Sequence, residues 1–348
     1  MNKDYAVIYA SSGQGHTMAA RALADHFNCP CIDLLDYCPR FIRFFYSQGY
    51  YCVVNYFSLL WLAIFKITTI SCVQRWIEKM HLKFFQPFLQ FLKDNKVQYL
   101  IVTHFFPIHL VKTIKADSNS KLIVVVTDLG AHPLWVDSQV DLYCVPLDFT
   151  RQELIEQGVD ESKIAVTGMP LRQGFLQPVE PQRVREELSF DDKPVILVLS
   201  STHKSLLYLK SMVKYLTKDF NLVIIYGNNR EAKKFLTQVN NKRVRSFQYY
   251  GKIWQLMALA SFIITKPGGL TVFEGLYMNK PLIFTHFIFG QEKRNMEIIQ
   301  TLGKGFYAPS FKQLKDILYY SVFSRDQDRV YNVKNKNIFT AIESKVDR

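Results

Sequence analysis

The chain has 348 residues, 43 Lys and Arg against 30 Asp and Glu for a formal net charge of +13, and is 49% hydrophobic and 14% aromatic. That length suits two domains, each large enough to bury a core, and the composition excludes disordered, collagenous and solenoid chains. Six scattered cysteines without a CxxC pair exclude a disulfide scaffold and read as free thiols of a reducing compartment.

The first predicted element is a buried strand at 6–10, broken by Ser, Gly and His too early for a signal peptide. The loop Ser11-Ser12-Gly13-Gln14-Gly15-His16 then enters a helical pattern. Glycines at such a turn let backbone approach a ligand, and a helix N-terminus favours negative charge, although this GxG is neither the dinucleotide fingerprint nor a P-loop. His16 has two readings, a proton acceptor near neutral pH or a helix cap.

A second strand at 31–34 precedes an unusual window. Residues 38–96 hold eight basic residues, Arg40, Arg43 and Lys66 among them, against two acids, and 41–91 hold 15 aromatics. Within it, 44–65 carries no formal charge, long enough to span a bilayer. Polar interruptions and crowded Tyr and Phe favour an interfacial helix pair over a span or ordinary core.

Strands at 99–103, 122–127, 142–145 and 164–166 complete the first half. Ligands in open α/β sheets sit beyond the carboxyl ends of strands, so Thr127-Asp128-Leu129-Gly130-Ala131-His132-Pro133-Leu134-Trp135 is a candidate site loop. Its acid can orient a histidine, accept a proton or merely cap a turn. His104 holds an analogous place, but its Phe105-Phe106-Pro107 neighbours suggest packing.

The polar, two-proline stretch 177–182 suits a linker. Beyond 170, basic residues outnumber acids 28 to 15, whereas 1–170 carry 15 of each. Strands are predicted at 195–199, 222–226, 244–247, 262–265 and 282–285. Lys266-Pro267-Gly268-Gly269 starts a helix whose N–H groups suit a diphosphate, and Glu274 within it suits a ribose diol. After the last strand, Gln291 and Glu292 begin a helix with side chains able to read sugar hydroxyls, or simply face solvent.

SSGQGH with the following AAxAL, TDxxxHPLW, VTGMPL, TKPGGLTxxEG and GQEKRN occur in this order. Over residues 5–305 they resemble the processive diacylglycerol glucosyltransferases and monogalactosyldiacylglycerol synthases, the lipid branch of glycosyltransferase family 28. The resemblance implies an α/β GT-B fold, two Rossmann-like domains facing across a cleft. With the linker, this divides the chain into an acceptor- and membrane-binding domain 1–172, a linker 173–190, a UDP-sugar-binding domain 191–324 and a helical tail 325–348 that could pack back on the first domain.

The implied reaction is inverting, metal-independent transfer of a hexose from a UDP-sugar to a membrane lipid, foremost diacylglycerol, by a protein at the inner, cytoplasmic face of an anionic membrane. UDP-sugar would be a co-substrate, with no further cofactor, and no nucleic-acid module accompanies the basic charge. A polyprenyl-linked acceptor, sugar-nucleotide epimerisation and a non-catalytic nucleotide-binding relative are the alternatives. Carried over by position, His16 and Asp128 serve the acceptor hydroxyl, with Gly13, Gly15 and His132 in the acceptor loop. Gly268, Gly269 and Thr271 hold the diphosphate, Glu274 the ribose, and Gln291, Glu292 and Asn295 the sugar. Arg40, Arg43, Phe44, Phe45, Trp61 and Lys66 meet the membrane. Two departures stand out: a glycine-free loop at Ser200–Lys204, and Lys293 and Arg294 where acids are frequent.

Overall fold

Short, continuously apolar runs rich in Val, Ile and Leu suit strands covered on both faces, and in the computed structural model they form two parallel sheets of six strands each. The structure describes residues 4–11, 13–68, 70–115, 119–199, 206–323 and 337–346. One unit takes the chain up to Arg172, Ile288–Asn295 and the tail helix, and the other takes Gln173–Phe287 and the chain resuming at Met296.

The first unit contains β1 (Tyr5–Tyr9), α1 (Gln14–Phe27), β2 (Cys31–Asp33), α2 (Arg40–Phe44), α3 (Tyr50–Tyr56), α4 (Ser58–Ile67), α5 (Ser71–Phe84), α6 (Gln86–Asn95), β3 (Tyr99–Val102), α7 (Ile108–Lys115), β4 (Lys121–Val125), β5 (Leu142–Val145), α8 (Asp148–Glu156) and β6 (Ile164–Val166). Strand order is β2-β1-β3-β4-β5-β6. The order therefore reverses between β1 and β3, and the loops beyond their carboxyl ends diverge into a crevice. Alternate side chains serve opposite faces. Ala6, Ile8, Val102 and Val124 join one core, while Val7, Ile101, Ile123 and Val125 join another with Ala20 and Leu23 of α1.

Residues 44–65 are divided among the end of α2, a π-helical turn at Phe45–Gly49, α3 and α4. Among the described residues no helix is long and apolar enough to cross a membrane. A half-buried polar chain ties this region to helices α5 and α7: the Tyr46 hydroxyl lies 2.6 Å from His81 Nε2, and His81 Nδ1 lies 2.8 Å from His109 Nε2. Burial pulls the His81 imidazole down to about 2 and that of His109 to about 4, so both are neutral donor-acceptor links at neutral pH.

The second unit contains α9 (Pro181–Glu187), β7 (Val195–Leu199), α10 (Leu206–Tyr215), β8 (Asn221–Ile225), α11 (Arg230–Leu236), β9 (Val244–Phe247), α12 (Ile253–Leu259), β10 (Phe262–Thr265), α13 (Gly269–Tyr277), β11 (Leu282–Phe284), β12 (Gly305–Tyr307) and α15 (Phe311–Phe323). Helix α14 (Gln291–Thr301) starts in the first unit's segment and continues in the second. The sheet order is β12-β11-β10-β7-β8-β9. Strand β12 is additional to the eleven expected. Its glycine is required, since a Cβ at Gly305 would lie 2.5 Å from Ile299 Cγ2.

The stretch expected as linker, 173–190, belongs to the second unit. Pro181 opens α9 at a position where its missing N–H is harmless, and Val184 is buried. The tail helix α16 (Ile338–Val346) is amphipathic, burying Ile338, Phe339 and Ile342 in the first unit's core. His26 stacks on Phe339 at 3.9 Å and meets Glu343 at 3.2 Å.

Candidate active site

His16 is the third residue of α1, whose N-cap, Gly13, supplies no side-chain cap. The imidazole is held from the neighbouring strands. Its Nδ1 lies 3.0 Å from the Thr103 carbonyl and 2.7 Å from Thr127 Oγ1, and that hydroxyl in turn donates to the Thr103 carbonyl at 3.1 Å. A carbonyl only accepts, so this network assigns the proton to Nδ1 and the lone pair to Nε2. His104 stands edge-on to His16 at 4.4 Å. Burial first, and then His16, holds its pKa well below the usual range, and its Nδ1 accepts the Phe106 N–H at 3.0 Å. His16 therefore has an uncharged neighbour at neutral pH.

Asp128 follows β4 and is 7% exposed. Its Oδ2 accepts from Gln291 Nε2 at 2.8 Å, while Asn295 Oδ1 accepts the Leu129 N–H at 3.0 Å. Burial pushes the Asp128 carboxyl up to about 7; Trp135 and Asn295 pull it down and nearby Glu292 pushes it further up. Among the described residues the Trp135 indole nitrogen has no hydrogen bond of standard geometry, so its pull is that of a nearby dipole. Glu292 and Asn295 are also buried. Thus Gln291, Glu292 and Asn295, expected at the donor sugar, gather around the carboxylate expected at the acceptor.

Helix α8 pins the Asp128 loop. Thr150 Oγ1 donates to the Leu129 carbonyl at 2.6 Å, Glu153 Oε2 accepts the Ala131 N–H at 2.6 Å, and Gln157 Nε2 donates to the Ala131 carbonyl at 2.7 Å. Arg294 donates to Glu153 at 2.8 Å and lies over the Phe149 ring at 5.0 Å. Arg294, in one of the two expected departures, therefore has a structural partner. His132 Nδ1 accepts the Leu134 N–H at 3.2 Å, capping the turn before Trp135, and burial lowers its pKa to about 4.

In the second unit, buried β10 ends at Thr265 and α13 begins at Gly269. Gly268 caps it with an extended backbone and no side chain over the helix end. The first-turn N–H groups of such a helix lack intrahelical acceptors, and among the described residues a Cβ at Gly268 would meet nothing within 4 Å. The turn thus presents open backbone donors. Thr271 belongs to the first turn and Glu274 to the second, with its side chain 5% exposed. The glycine-free loop at Ser200–Lys204 lies outside the described residues.

Of the expected membrane residues, Phe44 and Phe45 are exposed at 55% and 67%. Arg40 is exposed, and Arg43 pairs with Asp36 at 2.9 Å. Trp61 differs: half-buried, it donates its indole N–H to the Phe289 carbonyl at 2.9 Å. The Lys66 side chain lies outside the described residues.

The monogalactosyldiacylglycerol (MGDG) synthase family model matches residues 16–171, and that of the glycosyltransferase family 28 C-terminal domain matches 195–307. The chain belongs to the lipid branch of glycosyltransferase family 28. This family 28 enzyme is a glycosyltransferase. It is 26% identical over 320 residues to a processive diacylglycerol beta-glucosyltransferase of Bacillus cereus, covering 87% of this chain and 81% of that one. The calicheamicin glycosyltransferase CalG4 matches at a TM-score of 0.63 and 13% identity, over 100% of this chain and 98% of the other. MurG of Acinetobacter baumannii matches at 0.59 and 12% identity, over 99% of each chain. The fold of the family 28 enzyme is GT-B.

Thr103 and Thr127, the partners of His16 in the family 28 enzyme, are not among the site residues expected from sequence. Each stands just past a parallel strand at the crevice, a place where a hydroxyl is a usable signal. Trp61 is expected at the membrane, because nothing in a local pattern shows which ring turns inward.

Proposed function

We propose that this glycosyltransferase moves a hexose from a UDP-sugar to the hydroxyl of a membrane lipid, foremost diacylglycerol, in one inverting, metal-independent displacement. The observation that carries the reading is the His16 network: with Nδ1–H committed to Thr103, Nε2 is the basic nitrogen. In the reaction the acceptor oxygen attacks the anomeric carbon and its proton passes to Nε2. The bond from that carbon to the UDP oxygen breaks, and UDP leaves with the electron pair.

The open N–H groups starting α13 support stabilisation of the departing diphosphate, and buried Glu274 supports a role at the ribose. The Asp128, Gln291, Glu292 and Asn295 cluster supports reading of the sugar hydroxyls. Exposed Phe44 and Phe45 in the basic window support docking on an anionic lipid surface.

UDP-glucose, UDP-galactose and UDP-N-acetylglucosamine should be tested against diacylglycerol, ceramide and polyprenyl lipids, with glycolipids identified by mass. Product with diacylglycerol is expected, lost in His16→Ala with UDP affinity nearly intact. Product only with polyprenyl acceptors overturns the acceptor assignment, and normal turnover of His16→Ala removes that residue from the base role.

A further inference from the structure

Helix α4 is apolar on its outside. Leu60, Ile64 and Ile67 are 51%, 38% and 48% exposed, and their spacing of four and three residues puts them on one face. Phe57, just before the helix, is 55% exposed. With Phe41, Phe44 and Phe45, also exposed, these side chains lie in the basic window, whose charge complements an anionic bilayer.

Trp61 on the same helix turns the other way. Its indole N–H holds the Phe289 carbonyl at 2.9 Å, and its ring stands edge-on to Tyr50 at 5.1 Å. Phe289 lies inside a turn that closes on itself. The Glu292 carboxylate accepts the Ile288 N–H at 2.8 Å, the Gly290 carbonyl accepts the Arg294 N–H at 3.1 Å, and Gly290 takes φ +98, a left-handed conformation suited to glycine. This turn delivers Gln291 to Asp128. Tyr50 belongs to the same neighbourhood: burial first, then Glu292 and Asp128, raise its pKa.

A bond from Trp61 to this turn therefore links the lipid-facing helix to the side chains that would read the sugar. We propose that Trp61 is a positioning residue that couples lipid docking to donor-sugar recognition. When the outer face of α4 enters an anionic bilayer, the helix is fixed and the Trp61 N–H holds the 288–292 turn in its sugar-reading form. This rests on the donor and membrane roles proposed above. One N–H to carbonyl hydrogen bond contributes a modest, measurable increment, roughly three- to tenfold in affinity.

The test measures binding of the UDP-hexose selected by the transfer assay, and of UDP alone, to the full chain. Each is measured with and without phosphatidylcholine vesicles containing phosphatidylglycerol but no diacylglycerol, so that no transfer occurs. Wild type is expected to bind the UDP-hexose roughly three- to tenfold more tightly with vesicles, and UDP alone about equally in both conditions. Trp61→Phe keeps an apolar ring but loses the N–H. It should sediment with vesicles and melt as wild type does, yet lose the vesicle-dependent gain. A Trp61→Phe protein that retains the full gain overturns the inference, as does a wild type that binds the UDP-hexose equally with and without vesicles. A wild type that binds no UDP-hexose in either condition overturns the donor reading itself.

Discussion

The Nδ1–H of His16 donates to the Thr103 carbonyl 3.0 Å away, so a residue 87 positions later decides which nitrogen of the imidazole is basic. Thr127 Oγ1 supports the same ring at 2.7 Å. Losing that hydroxyl leaves the ring turning more freely without removing the base. Thr127→Val should lower kcat about tenfold, near the upper end for one hydrogen bond, and leave the KM for the UDP-sugar within about twofold. Thr127→Ser should restore most of the rate, since it returns the hydroxyl. Steady-state kinetics of the two variants checks this, and an unaltered kcat in Thr127→Val would deny the threonine an orienting role.

Asp128 makes stability depend on pH with a defined sign. Its carboxyl is raised from an ordinary 3.8 to about 7. Between these values the folded chain binds a proton that the unfolded chain releases, so stability falls as pH rises through the window and levels off above it. Asp128→Asn keeps an acceptor for Gln291 but cannot ionise. It should be more stable than wild type at about pH 8, by on the order of a few kcal/mol, and nearly equal at about pH 4. Urea unfolding at several pH values measures the difference; parallel profiles for the two proteins would contradict a raised Asp128.

Gly268 separates binding from folding. Its φ of −72 is open to any residue, and an added Cβ meets nothing within 4 Å among the described residues. Gly268→Ala should therefore fold with a thermal midpoint close to wild type. The methyl group would occupy space next to the α13 amides, where a diphosphate must approach. UDP affinity should fall by about tenfold or more, the effect of losing one well-placed charge-assisted hydrogen bond. Titration calorimetry with UDP tests it, and undiminished affinity would move the diphosphate away from this turn.

Phe45 is the most exposed of the three Phe residues at 41, 44 and 45. Full burial of such a ring is worth about 1.5–3 kcal/mol, so Phe45→Ser should weaken partitioning onto anionic vesicles roughly tenfold or more. Arg40→Glu should act in the same direction and more strongly at low salt. Arg43 already pairs with Asp36, so its reversal should matter less. Vesicle sedimentation across a salt series distinguishes these contributions, with UDP affinity expected to stay constant; equal partitioning of Phe45→Ser would exclude its ring from the lipid contact.

Much of the fold was legible because its signals are local. Continuous apolar runs in the strand regions mark elements buried on both faces, and the structure has them in both sheets. The edge strand β12 escaped because three residues starting with glycine leave almost no periodic signal. The stretch 177–182 looked like a linker because prolines exclude helix interiors, yet Pro181 opens α9, where a proline is tolerated.

The local chemistry was legible too: His16, Asp128, the Gly268-Gly269 turn and Gln291-Glu292 all follow strands or begin helices, where side chains and backbone donors are presented. Their partners were not. Thr103 reaches His16 because β3 pairs directly with β1, and Gln291 reaches Asp128 across 163 positions. Trp61 turns to Phe289 across 228 positions while Leu60 beside it faces outward. Periodicity and helix-end chemistry act over a few residues and can be read from neighbours in the chain. Strand order and the packing of distant segments are set by the burial of the whole core, and they determine which nitrogen is basic, which carboxyl is raised and which aromatic ring is turned away from solvent.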